Sequence, residues 1–411
     1  MSRFDYDVAI VGSGPSGIAA ATALSRAGVK NIVVFEREDQ IGGIPRHTHH
    51  PSFGLLVFKR PITGPKFIHA LVKRCPDVRF EINTAVTALG VGGELEVATV
   101  SGIRRIRARH IILATGARET PRHGRLISGL RPQGVTTTGA LQQFIYSSRM
   151  RPFQRPVIVG TELVSFSALW TLRHAGIKPI AMVESNSRIT AYRPAALLAR
   201  LQGIPIYYNA KVTDIEDIET LKQVTISRSG HESMKIPCDG LIFSGCFIGE
   251  NSIATTSHLN LSPKSHIPQV DQYWITSDPI VSAIGNAIHP ADMGDHCYLE
   301  GLKVGKYVAR LLAENVAPAV NFIQIRHSPD IKMTTPSILR PEKLGETRFD
   351  LAFHVTDAFS GTIRVSQGTK VLCQKTKHCL PTRRITLKNI RLPFCIVDKD
   401  QPIDVLLIKS N

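Results

Sequence analysis

The chain has 411 residues, of which 43% are hydrophobic and 20% charged, with 31 glycines and 25 prolines. That is the make-up of a folded protein of two or three domains, and it excludes disordered, collagen-like and low-complexity chains. The formal net charge is +17, and the surplus is concentrated in residues 51–150 and 321–411.

One densely basic stretch holds Arg104, Arg105, Arg107, Arg109, Arg118, Arg122, Arg125 and Arg131 against the single acid Glu119. An anionic partner, peripheral contact with a membrane surface or simply a basic exterior each fits such a stretch. No nucleic-acid motif or base-stacking aromatic cluster accompanies it, so a nucleic-acid partner is not expected. No uncharged apolar run reaches the roughly 18–20 residues of a membrane span. The seven cysteines are scattered and none forms a CxxC pair, which argues against a secreted disulfide framework. With no signal-peptide pattern at the N-terminus, the expected location is the cytoplasm.

In chain order, Tyr6 to Val11 reads as a buried strand. It runs into Gly12-Ser13-Gly14-Pro15-Ser16-Gly17, a GxGxxG, and then into an alanine- and leucine-rich helix over Ile18 to Ala27. Gly28 ends that helix, Ile32 to Phe35 form a second strand, and Glu36 stands at its end, 24 residues after Gly12. Each part has a physical task. Gly12 permits the tight turn, Gly14 lets a pyrophosphate approach the backbone, and Gly17 allows close helix–strand packing. The helix N-terminus offers free N–H groups and a positive dipole end to phosphate, and Glu36 can accept hydrogen bonds from ribose hydroxyls. Strand, glycine turn, helix and acid together predict a bound dinucleotide.

The chain continues Glu36-Arg37-Glu38-Asp39-Gln40-Ile41-Gly42-Gly43. GxGxxG, then an acid, then Gly-Gly resembles the FAD-binding half of two-dinucleotide-domain flavoproteins, which have the pyridine nucleotide-disulfide oxidoreductase fold. Two later segments strengthen the resemblance: Ile111-Ile112-Leu113-Ala114-Thr115-Gly116, and Ser282-Ala283-Ile284-Gly285-Asn286-Ala287. It implies FAD as cofactor, held by Gly12, Gly14, Pro15, Ser16, Gly17, Glu36, Arg37, Gly42, Gly43, Ala114, Thr115, Gly116, Gly285, Asn286 and Gly301. Asn286 stands where the family has an Asp that binds the ribityl chain, and an amide can still bind a hydroxyl. A helix beginning near Asp295 is implied to start beside the flavin's pyrimidine end, with Gly301 and Gly305 on one face. Close packing explains those two glycines equally well.

A second unit of the same type follows. Pro156 to Gly160 reads as a strand, Glu162 to Ala175 as a helix, and Pro179 to Val183 as a strand ending at Glu184, again 24 residues after the leading glycine. Its fingerprint is broken, reading Gly160-Thr161-Glu162-Leu163-Val164-Ser165. A carboxylate where a pyrophosphate would lie is bulky and repulsive, so tight NAD(P) binding is disfavoured, and whether any nicotinamide binds stays open.

Residues 44–60 hold no cysteine, which argues against redox-disulfide chemistry. They read Ile44-Pro45-Arg46-His47-Thr48-His49-His50 instead. Gly-Gly-Ile-Pro-Arg-His, with Thr63-Gly64-Pro65 downstream, resembles the flavin subunits of opine oxidases, dye-linked proline dehydrogenases and hydrogen cyanide synthases. The resemblance implies hydride removal from a small amine, amino acid or hydroxy acid, and a partner subunit or separate electron acceptor. Arg46 can hold a substrate carboxylate through paired hydrogen bonds, and His47 can take a proton as hydride leaves. Both could instead merely hold the loop or the FAD phosphates. No metal is expected at His47, His49 and His50, because no acidic or second ligand segment is near in sequence. Cys297 is a redox candidate or, more plainly, a packing residue. An NAD(P)H-dependent flavin reductase, or a flavin-bearing subunit without its own substrate site, are the rival functions.

Beyond residue 320 short β-rich runs appear at Phe349–Val355, Thr362–Ser366, Lys370–Gln374 and Arg384–Leu387, with Gln367-Gly368-Thr369 as a hairpin turn. The expected architecture is α/β: two Rossmann-like dinucleotide-binding domains in a glutathione-reductase-like arrangement, plus a small C-terminal antiparallel β domain. The expected boundaries are 1–118 with 247–320 for the FAD domain, 119–246 for the second, and 321–411 for the tail.

Overall fold

The computed structural model describes residues 4–75, 78–192, 194–228, 230–316, 321–342, 345–381, 383–393, 398 and 400–409. The chain divides into two compact units, one built from residues 1–43, 69–116 and 249–411, the other from 44–68 and 117–248.

The first unit opens with β1 (Tyr6–Val11), α1 (Pro15–Arg26) and β2 (Ile32–Phe35), followed by β3 (Arg79–Glu81), β4 (Ala85–Leu89), β5 (Glu94–Thr99) and β6 (Gly102–Leu113). The sheet order is β3-β2-β1-β6-β5-β4, with the Val281–Ala283 strand lying parallel to the end of β6. β1 is parallel to both β2 and β6, and β1 and β2 are nearly all apolar because helices and loops cover both faces. The first half of β6 pairs antiparallel with β5 and is solvent-facing. There the arginines meet internal partners: Arg104 pairs with Glu81, Arg105 lies 3.7 Å from Glu94, and Arg109 lies 3.2 Å from Asp7. Arg107 donates to the Gly92 carbonyl at 3.2 Å and covers the Phe4 ring. Much of the basic stretch thus serves the protein's own carboxylates and carbonyls.

The Gly294–Glu314 helix packs along α1. A Cβ on Gly301 would stand 2.2 Å from the Ser16 carbonyl oxygen, and one on Gly305 2.5 Å from that of Ala20. Both glycines therefore mark a close helix–helix contact. Past it the chain builds a β-sandwich. One sheet orders Ile338–Leu339, Ile323–His327, Ile403–Lys409, Phe359–Gln367 and Lys370–Cys379, and the other Ile331–Thr335, Glu346–Val355 and Ile385–Pro393. Their inner faces share one apolar core around Phe349, Phe353, Ile363 and Val405. The turn at Gly368-Thr369 forms as expected, with Gln367 opposite Lys370. Among the described residues the strands of this domain pair antiparallel except for Ile323–His327 with Ile403–Lys409, two strands that come from opposite ends of the segment. Cys395 lies outside the described residues.

The second unit holds a five-stranded parallel sheet in the order Ile206–Tyr207, Ala181–Val183, Pro156–Val159, Gly240–Phe243 and Val135–Thr137. The Leu163–His174 helix follows the Pro156–Val159 strand, and a three-stranded antiparallel sheet spans residues 210–237. Arg122 and Arg125 spend their guanidinium groups on loop carbonyls, the latter on Thr120 at 2.8 Å and Gly245 at 2.9 Å. No helix among the described residues is long and apolar enough to cross a membrane.

Candidate dinucleotide site

β1 and β6 are parallel neighbours with β2 beyond β1 on one side and the Val281–Ala283 strand beyond β6 on the other, and the two glycine-bearing turns leave from their carboxyl ends. Gly12 turns there with φ +103°, and a Cβ on it would stand 2.4 Å from the Ala114 carbonyl oxygen; one on Gly17 would stand 2.0 Å from the Gly12 carbonyl oxygen. At both positions only hydrogen fits. Gly14 differs: it has an ordinary φ of −67° and nothing within 4 Å of a Cβ position. Its freedom opens space above the helix. α1 begins there with Pro15 in its first turn and no side-chain cap, so the N–H groups of its first turn face outward for a phosphate.

Around this opening the structure gathers the residues singled out from sequence. Glu36 is buried; its Oε2 accepts from Ser13 N at 3.1 Å and Ser13 Oγ at 2.6 Å, and its Oε1 accepts from Glu38 N at 3.0 Å. Gly42 N donates to Ser13 Oγ at 3.0 Å, and a Cβ on Gly43 would stand 3.2 Å from Gly14 Cα. Ser13 thus ties the acid to the Gly-Gly turn, a role hidden in an x position of the motif. Arg37 is exposed beside Glu36. Ala114, Thr115 and Gly116 (φ +80°) leave the end of β6. Gly285 is pressed on Ser16, and Asn286 follows it in a short 3-10 turn. These residues fit the diphosphate and sugars of FAD: an open glycine, outward amides and a buried acid.

The second unit repeats the frame and closes it. Thr161 Oγ1 donates to Glu184 and accepts from Thr190 N at 2.9 Å, as Ser13 does between Glu36 and Gly42. Glu184 Oε1 is further occupied by Asn186 N and Nδ2, both at 2.8 Å. Glu162 stands where the first turn has Gly14. Its carboxylate lies over Gly245, where a Cβ would be 2.4 Å from Glu162 Cδ, and it accepts from Cys246 N at 3.0 Å. Glu119 takes the neighbouring Gly245 N at 3.0 Å and Gly139 N at 2.7 Å, and burial raises its carboxyl above the usual range against the pull of those amides. Backbone amides just past the Gly240–Phe243 strand are therefore taken by two of the chain's own carboxylates.

The Ile44–His47 segment is one 3-10 turn. Thr48 Oγ1 donates to the Ile44 carbonyl at 2.9 Å and to Gln142 Oε1 at 3.2 Å, and Gln142 Nε2 donates to Ser167 Oγ at 2.8 Å. His49 stacks on Tyr146 at 3.9 Å, whose hydroxyl lies 3.0 Å from His174 Nδ1; His50 Nδ1 lies 2.7 Å from Ser52 Oγ. His47 is 3% exposed and its Nδ1 has no hydrogen-bond partner among the described residues. Burial, with help from Arg46 and His49, pushes its pKa down to about 4, so the imidazole is neutral at physiological pH.

The family model for pyridine nucleotide-disulphide oxidoreductases matches residues 6–303. The chain belongs to that family. An opine oxidase subunit from Rhizobium meliloti is 24% identical over 323 residues, 74% of this chain and 66% of that protein, so the chain spans slightly under two thirds of that relative. Among solved structures, T. acidophilum thioredoxin reductase superposes with a TM-score of 0.62 at 18% identity, covering 75% of this chain and 99% of the other. L-proline dehydrogenase from P. horikoshii does so with a TM-score of 0.54 at 18% identity, covering 77% and 60%. As a family member the chain is an FAD-dependent oxidoreductase. Its departures from the pattern are Glu162 in the second glycine turn and a Gly-Gly turn followed by Ile-Pro-Arg-His in place of cysteine.

Proposed function

We propose that the protein is a dehydrogenase that removes a hydride from a small amine, amino acid or hydroxy acid and passes the electrons to an acceptor other than a nicotinamide. The observation that carries this reading is Glu162, seated on Gly245 and Cys246 in the crevice a nicotinamide dinucleotide would need. A pyrophosphate entering there meets a fixed negative charge and amides already engaged. FAD, when bound, supplies the two-electron acceptor. Arg46 binds the substrate's carboxylate, and His47, uncharged and short of a partner at Nδ1, receives the proton that leaves as the hydride departs. A partner protein that receives the electrons is consistent with similarity to a chain named as one subunit of an oxidase.

Anaerobic mixing checks the reading in one cuvette. The flavin absorbance should bleach with one or more of a panel of amines, amino acids and hydroxy acids and persist with NADH and NADPH. Rapid bleaching by a nicotinamide, with none from the panel, would overturn it.

A further inference from the structure

A line of side chains runs from the C-terminal β-sandwich to Asn286. Arg384, just ahead of the Ile385–Pro393 strand, places Nη1 2.5 Å from Asp292 Oδ2. The backbone of Asp292 grips the Asn286 amide at both ends: its N–H donates to Oδ1 at 3.0 Å, and its carbonyl accepts from Nδ2 at 3.4 Å. The Cys297 thiol donates to the same Oδ1 at 3.5 Å. Behind this, Glu300 Oε1 accepts from Gly285 N at 2.6 Å, and its Oε2 lies 3.3 Å from His289 Nε2. The Gly285–Asn286 turn is thus held on one side by Glu300 of the Gly294–Glu314 helix and on the other by Asp292.

Asp292 and Arg384 are only 12% and 27% exposed at their side chains, so the pair is shielded far more than a surface ion pair. Removing the guanidinium leaves an uncompensated carboxylate, which is the costly way to break such a pair. Arg384 also lies beyond residues 6–303, so the cationic half of the clamp comes from this chain's tail and not from the shared family core.

We infer that the Asp292–Arg384 pair is a positioning clamp through which the C-terminal β-sandwich fixes Asn286 for the flavin, so that FAD affinity and flavin potential both depend on Arg384. Two consequences follow from the charges. Without Arg384 the 286–292 turn loosens and FAD binds more weakly. The unpaired Asp292 carboxylate also opposes electron accumulation on the flavin, so the midpoint potential moves to more negative values.

The test uses the holoenzyme and its FAD-stripped form, with the FAD Kd read by flavin fluorescence and the midpoint potential by equilibration with redox dyes. Arg384→Ala should raise Kd about tenfold, the scale of one charge-assisted hydrogen bond, and shift the potential negatively. Arg384→Lys should retain most of both properties, and the Asp292→Arg, Arg384→Asp exchange should recover part of them. Glu346→Gln, which breaks an exposed contact with Arg348 in the same sandwich, should change neither. Unchanged Kd and potential in Arg384→Ala would overturn the inference. So would weaker FAD binding with an unaltered potential, because that marks general loosening of the sandwich.

Discussion

A Gly14→Glu variant is expected to purify colourless and to stay so on addition of FAD, while melting at nearly the wild-type apoprotein temperature. The expectation follows from the difference between the glycines of one motif. Gly12 and Gly17 are fixed by backbone atoms 2.4 and 2.0 Å from a Cβ position, so substitution there damages the strand-to-helix turn itself. Gly14 carries an ordinary φ and open space, so a larger side chain is accepted by the empty fold. What it removes is room and charge balance for the diphosphate. A carboxylate about 4 Å from a phosphate costs about 4 kcal/mol at an effective dielectric of 20, roughly a thousandfold in Kd. The change also copies the second unit, where Glu162 holds the matching position. Absorbance near the flavin band, together with thermal melts of stripped protein, separates lost binding from lost folding. Tight FAD binding by the variant would sink the assignment of Gly14 to the phosphate cradle.

The two dinucleotide frames were legible because their chemistry is local. In both, the acid comes 24 residues after the leading glycine, and in both a hydroxyl clips that acid to a loop: Ser13 with Glu36 and Gly42, Thr161 with Glu184 and Thr190. The break at Glu162 could also be read from the sequence, since one residue type in one position decides it. Its contact with Gly245 and Cys246 could not, because those residues lie in the loop after the Gly240–Phe243 strand, whose neighbour is set by the sheet order. The same limit hid Arg384, which meets Asp292 across ninety-two positions. In the tail, the β-rich runs Phe349–Val355 and Thr362–Ser366, the second by its alternation, fall inside the Glu346–Val355 and Phe359–Gln367 strands. It missed Ile323–His327 and Ile403–Lys409, whose parallel partnership joins the two ends of the domain and leaves no local turn signal.

His47→Gln should lower turnover by about 10²- to 10⁴-fold, the usual worth of a positioned acid–base group, with FAD content and visible spectrum unchanged. Glutamine keeps a polar side chain of similar reach in the buried 3-10 turn but cannot accept the proton. The pH profile gives a second reading. Because burial holds the imidazole near pKa 4, well below its ordinary 6.5, wild-type kcat/KM should lose no activity to His47 between pH 8 and 5, and should fall only as pH drops toward about 4. A limb near 6.5 would mean that the group responsible is solvated and is not His47. Stability supplies a reading independent of turnover. The unfolded chain protonates this histidine below about 6.5 while the folded chain does not, so its neutral burial opposes folding increasingly from that pH down to about 4. His47→Gln removes that contribution, and the melting temperature of the variant should decline less than that of the wild type as pH is lowered through that window. Retained turnover would place the proton acceptor elsewhere, and an unchanged acid-stability curve would mean that His47 is not held near pKa 4.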